Sequence, residues 1–254
     1  GREMYDRFRA SLPKPSLKYT HVASQAFHSS EDAFLKSIEL TKNENSFVAL
    51  AELYILSQKY DRGLELLNKF LNPIIEPVKF YLIKGMTEYL AGRLDNSEND
   101  YKKAFQLMSK EEKDIYTDLS FKKLLTPANA DSLESKDKQF VDNYFNNYMQ
   151  ERDPLLLTNY NERMLEHFTR VTYSNLLFTV KRMDLDGWKS DRGEIVIRYG
   201  LPEQIKRMRA IPSDASTFMQ METEIFYYPD RIFAFYDMTR RGGYIFNEPS
   251  LGNS

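Results

Sequence analysis

The stretch "GWKSDRGEIVIRYGLP", residues 187–202, decides how the C-terminal half is read, and it holds the only tryptophan of the chain. From Glu194 to Tyr199 the residues alternate. Ile195, Ile197 and Tyr199 point one way and Glu194, Val196 and Arg198 the other, the period of a half-buried strand. Gly187 and Gly193 permit bends around Trp188, and Gly200 can take a positive φ. Pro202 suits the first position of a short helix, with Glu203 at its positive end. Asp191 can accept backbone N–H groups of its own turn, and Arg192 can fork onto a carboxylate such as Glu162 or Glu224. Trp188 then fills the space between a helix and a sheet, its indole N–H finding a partner.

Working outward, three more strands follow at 223–228, 231–237 and 244–247, joined by turns at Pro229-Asp230 and Arg241-Gly242-Gly243. Short sequential strands predict an antiparallel meander, covered on one face by a helix over about 160–180. That helix is capped by Thr158 or Asn159, and it carries Met164, Phe168, Val171 and Phe178 on one face. Glu166 and Arg170 form a favourable i,i+4 pair. Asn161, Glu162 and Arg163 occupy its first turn, where they cap and solvate it, or else Asn161 and Arg163 reach the 187–193 turn.

The N-terminal half reads as helix pairs. Phe47, Leu50, Ala51 and Tyr54 make one stripe, Tyr60-Asp61 breaks it, Gly63, Leu64, Leu67 and Phe70-Leu71 make a second, and Pro73 closes the unit. Residues 81–107 repeat this at a shift of 34: Phe47 aligns with Tyr81, Ala51 with Gly85, Gly63 with Ser97, Leu67 with Tyr101 and Phe70 with Ala104. The small residues fall where antiparallel helices approach closely. One shift back, Ser29 takes the small position, Ala33 that of Leu67 and Pro13 an aromatic one, and Ser29 or Ser30 caps a helix ahead of Glu31-Asp32. After residue 108 the pattern stays helical, with a Ser109 cap and a docking stripe of Phe140, Tyr144 and Tyr148, ended by Asp153-Pro154.

A period of 34 with this spacing resembles tetratricopeptide repeats. It implies a short superhelix whose concave face holds a peptide or protein, with Tyr54 and Tyr89 as candidate contacts. A second resemblance lies further on. Arg152, Asp153, Pro154, Asn161 and Glu162, followed by Gly187, Trp188, Asp191, Arg192, Gly193, Tyr199, Gly200 and Pro202, look like the bacterial GWxTD domain over about 150–247. Ser190 stands in place of the signature threonine, keeping the hydroxyl and losing a methyl. The resemblance implies an exported, periplasmic bacterial protein with helical repeats appended.

Composition limits the function. Basic and acidic residues balance, 35 against 37, so there is no charge excess with which to neutralise phosphates, and nucleic acid is a poor partner. The clusters Lys206–Arg209 and Arg240-Arg241 read as solvated faces. Without cysteine there are no disulfides, thiolate zinc sites or cysteine nucleophiles. Residues 1–20 lack an apolar run of signal-peptide type, and no run approaches the ~20 residues of a membrane span.

The expectation is therefore mainly α with a small α+β domain: a helical-hairpin repeat array over 1–150, then a helix packed on an antiparallel β-meander over 151–254. The function expected is protein–protein interaction or scaffolding without catalysis, cofactor or metal. His21, His28 and His167 are scattered, and no nucleophile elbow or phosphate-binding loop is present. The alternatives are a hydrolase with Asp191 as acid or base and Arg192 holding an anion, or a small-ligand sensor.

Overall fold

The computed structural model describes residues 17–70, 75–154, 158–209 and 222–246; Pro13, Leu71, Pro73 and Asn247 lie outside these. The chain is mainly helical with a four-stranded antiparallel sheet near its end, as the sequence predicts. Its helices are α1 (Leu17–Thr41), α2 (Glu44–Leu56), α3 (Tyr60–Lys69), α4 (Pro77–Leu90), α5 (Leu94–Leu107), α6 (Lys110–Asp114), α7 (Pro127–Glu134), α8 (Lys138–Glu151), α9 (Glu162–Phe178) and α10 (Asp191–Tyr199). The strands are β1 (Gln204–Arg209), β2 (Glu222–Tyr227), β3 (Ile232–Asp237) and β4 (Ile245–Phe246), in that spatial order.

The pairs α2–α3 and α4–α5 end and begin 34 residues apart, from Leu56 to Leu90 and from Tyr60 to Leu94. Small residues sit at the crossings. A Cβ on Gly63 would lie 3.4 Å from Thr87 and 3.6 Å from Tyr54, and a Cβ on Gly85 would lie 3.2 Å from the Tyr101 ring. The Ser97 hydroxyl donates to the Gly85 carbonyl at 2.8 Å, which requires the α4 and α5 backbones to be close.

Before residue 42 the sequence reading needs correcting. α1 runs unbroken through Ser29-Ser30, so no cap lies there; Ser30 is buried and Ala33 exposed. The break comes at Lys42, with φ 47, and Asn43 caps α2 by accepting from the Ser46 N–H. On α8 the buried stripe is Val141, Phe145 and Met149, one position beyond that expected. Phe140 is exposed, while Tyr144 and Tyr148 flank the Phe121 ring. The Ser109 cap is present as a full capping box with Glu112.

The largest correction concerns 194–199, which is helix α10 and not a strand. The Ser190 hydroxyl takes the Gly193 N–H at 3.1 Å, and Asp191 and Glu194 lie in the positive first turn. Arg192, Ile195, Val196 and Ile197 are all buried, so apolar side chains go round much of the helix. A short helix buried this way loses its one-sided stripe, and alternation then imitates a strand. Gly200, at φ 90, ends it. Pro202 leads directly into β1 and starts no helix.

The sheet turns Glu224, Phe226, Phe235 and Phe246 inward, with Arg207 opposite Glu224 and Phe235 opposite Phe246. Phe178, at the end of α9, packs on Phe226 with ring centres 5.7 Å apart, and Tyr199 of α10 packs on Phe233 at 5.1 Å. Two helices therefore cover the sheet where one was expected. One core fills α1–α4, and a larger one runs from Ile55 to Tyr244 without a break at residue 150.

Candidate functional site

Two places gather the residues singled out by sequence: the 187–193 turn, and the start of α9.

The turn is built on close backbone contact. A Cβ on Gly187 would fall 1.9 Å from the Ser174 carbonyl oxygen, and one on Gly193 would fall 2.0 Å from the Gly187 carbonyl oxygen. Both glycines are needed for approach and not, as expected, for bending. Side chains of α9 and its C-cap take up the turn's free donors: Thr179 Oγ1 accepts from Gly187 N at 2.9 Å and Asn175 Oδ1 from Trp188 N at 3.0 Å. Ser190 Oγ returns a bond to the Gly187 carbonyl at 2.6 Å. The hydroxyl that Ser190 shares with threonine is thus the working group of that position.

Trp188 is 6% exposed, on a turn packed against α9 and α10. The ammonium groups of Lys189 and Lys123 lie 5.3 and 6.0 Å from the ring. The indole N–H is buried without a hydrogen-bond partner among the described residues, contrary to expectation.

Asp191 does not serve its own turn. Ser190 fills that role, and the Asp191 carboxylate accepts from Phe246 N at 2.7 Å, tying α10 to β4. Arg192, 3% exposed, donates to Glu224 at 2.5 Å and to the Gly242 carbonyl at 3.1 Å, sandwiched between the Phe178 and Tyr244 rings. Of the two carboxylates considered, Glu224 is the partner and Glu162 is not. Arg207 reaches the other Glu224 oxygen at 3.4 Å. At the far end of α10, buried Arg170 donates to the Ile197 carbonyl at 2.9 Å and pairs with Glu166. Tyr228 hydroxyl donates to the Gly200 carbonyl at 2.8 Å.

The start of α9 is differently arranged. Asn161, not Thr158 or Asn159, is the cap: its Oδ1 accepts from Met164 N at 2.8 Å. Asp153 accepts from Glu162 N at 3.2 Å, so two side chains serve the first turn. Arg163 pairs with Glu166 and does not reach the 187–193 turn. Beside this turn lies a cleft of about 550 Å³ lined by Tyr89, Tyr148, Arg152, Pro154, Glu162, Arg163 and Glu166. Arg152 lies flat on the Tyr148 ring, 3.8 Å from its centre. Burial, then the Glu166 charge, raises the Tyr89 phenol above its ordinary pKa.

Of the tyrosines expected to face a partner, Tyr89 lines this cleft. Tyr54 is buried and donates to Glu31 at 2.8 Å, a carboxylate also held by Arg62 at 2.7 and 2.9 Å. Sequence reading missed that Arg152, Arg163 and Glu166 converge with Glu162 and Tyr89. Glu166-Arg170 looks like an ordinary surface pair, and only the buried position of Arg170 shows otherwise. Among the described residues no group of three or more His, Asp or Glu side chains could hold a metal ion, and no helix is long and apolar enough to cross a membrane.

These features define a class: helical hairpins closed by a small helix-covered sheet, with a glycine-tryptophan turn locking helix to sheet. A family model for the GWxTD domain matches residues 97–226, and the chain belongs to that family. The match starts inside α5, well before the expected start near 150, and ends on β2, short of the expected end near 247. No curated protein and no solved structure matches at a significant level.

Proposed function

We propose that the protein is a non-catalytic binding protein of the bacterial cell envelope that holds a segment of a partner protein, with the cleft at the start of α9 as its receptor. The observation that carries this reading is a contrast. The Ser190, Asp191 and Arg192 side chains of the turn are committed to internal bonds, whereas the cleft presents charged side chains to the outside. The 34-residue spacing of α2–α3 and α4–α5, like that of tetratricopeptide repeats, adds support, because stacked hairpins of this kind commonly present a concave face to peptides. The hydrolase alternative would need a carboxylate of the Asp191–Arg192 pair facing a cleft; Asp191 instead holds Phe246 N and Arg192 is buried on Glu224. A sensor for an apolar ligand would need an apolar cavity, and the cleft is lined mostly by charged groups.

The test is site-specific photo-crosslinking in the intact protein within its native cells. A crosslinker at Tyr148 should give a discrete protein adduct, absent when it is placed at exposed Lys102 and lost with Arg152→Ala. If the Tyr148 and Lys102 positions give the same adducts, or if Asp191→Asn abolishes turnover of a substrate while the fold is intact, the proposal fails.

A further inference from the structure

Building on the binding role proposed above, we infer that the cleft takes a zwitterionic ligand group, one that places a carboxylate and an ammonium or guanidinium a few ångströms apart, as a short peptide with free ends does.

Open hydrogen-bonding capacity in the cleft points to both charges at once. Four charged side chains line it, two arginines and two glutamates. Glu166 is occupied, pairing with both Arg163 and Arg170. Glu162 is different. Its backbone N–H is taken by Asp153, but its carboxylate has no hydrogen bond or ion pair with any described residue. It is the open anionic acceptor of the cleft. The Tyr89 hydroxyl has no hydrogen-bond partner among the described residues either.

The cations are open in the complementary sense. Arg163 uses one guanidinium nitrogen on Glu166. Arg152 is oriented by stacking on Tyr148 and, among the described residues, makes hydrogen bonds only at 3.4 Å, to the Tyr148 carbonyl and Glu151. A guanidinium has five N–H donors, so both arginines keep unused donors for a carboxylate. Stacking fixes one of them in advance, which lowers the cost of ordering it on binding.

Ligands of a single sign fit worse. A phosphate or polyanion would meet Glu162 and Glu166, and a polycation would meet Arg152 and Arg163, with Arg170 behind Glu166. A ligand with both charges can pair each open group with its opposite, which is how such a site discriminates.

The experiment uses the whole protein and four forms of one dipeptide. Alanyl-alanine with free ends, N-acetylated, C-amidated and doubly blocked would each be titrated by NMR against labelled protein. The free form should bind tightest, with shifts centred on Tyr89, Glu162 and Arg163, and each block should weaken binding by roughly tenfold. Glu162→Gln should remove the penalty for acetylation only, and Arg152→Gln should reduce that for amidation only. Equal binding by all four forms, no binding by any, or a preference unchanged in Glu162→Gln would overturn the inference. If the dipeptides fail while the Tyr148 crosslink is still lost on Arg152→Ala, the zwitterion falls and the protein-binding role stands. Selective dipeptide binding without any protein adduct would support the zwitterion site and remove the protein-binding role.

Discussion

The Asp191 carboxylate accepts the Phe246 backbone N–H at 2.7 Å, fastening the first turn of α10 to the edge strand β4. β4 has only two residues, so this bond is a large part of what holds the edge in register. Asp191→Ala should cost about 1–3 kcal/mol, the usual penalty for orphaning a partly buried donor. Asp191→Asn, which keeps an acceptor oxygen, should cost less. Urea unfolding followed by circular dichroism would measure both; equal, negligible effects would mean that the bond is not made in solution.

Gly187 and Gly193 predict the most severe damage. A methyl group at either would overlap backbone of α9 or of the turn itself, which cannot swing aside as a side-chain tip can. Gly187→Ala and Gly193→Ala should each destabilise by more than ~4 kcal/mol, a range reached only by changes of this kind. Gly92→Ala is the control, since nothing lies within 4 Å of its Cβ position; its φ of 74 alone should cost about 1 kcal/mol. A thermal melt of Gly193→Ala matching wild type would refute the packing described.

Trp188 combines a buried ring with an indole N–H that has no partner among the described residues. Trp188→Ala should cost roughly 3–5 kcal/mol. Trp188→Phe loses volume but also removes the buried donor, so its cost should be well under half of that. If the two substitutions destabilise equally in urea, the N–H has a partner after all.

His167 sets a pH dependence. Burial lowers its pKa from the ordinary 6.5 to about 3, and its ring bonds the Tyr116 carbonyl at 2.8 Å and Ser120 at 3.2 Å. The unfolded chain therefore binds a proton between pH 6.5 and 3 that the folded chain refuses. Stability from this group is fully present above pH 6.5 and falls as the pH drops toward 3, by about 5 kcal/mol in all. His167→Gln should lower stability at pH 7.5 yet flatten its fall between pH 7 and 4.5. An unchanged slope in urea midpoints across those pH values would assign the acid sensitivity to other groups.

How much of this was legible in the sequence depended on whether a local rule sufficed. The hairpins from Phe47 to Leu107 showed through because α3 and α5 each bury one face and the 34-residue spacing ties α2 and α4 to them, and β2 because one face of the strand is buried. Arg192 could be assigned a carboxylate partner in advance, though the choice between Glu162 and Glu224 stayed open until the structure showed Glu224. Helix α10 was misread because Ile195, Val196 and Ile197 are all buried, leaving no helical stripe; the Ser190-Asp191 cap was the better signal. The cleft was illegible for another reason: Tyr89, Arg152 and Glu162 come from three helices or their ends, and no spacing in one segment brings them together.

Helix α9 carries a cleft-lining carboxylate, Glu162, at its first residue and Phe178, seated on the sheet, at its last. Its seventeen residues make a rod about 25 Å long. Buried Arg170 joins that rod to α10 midway, so cleft and sheet cannot pivot separately about it. Two molecules seated on the two ends would be held at a set distance and bearing, and the protein would act on them as a bracket acts on the parts it joins.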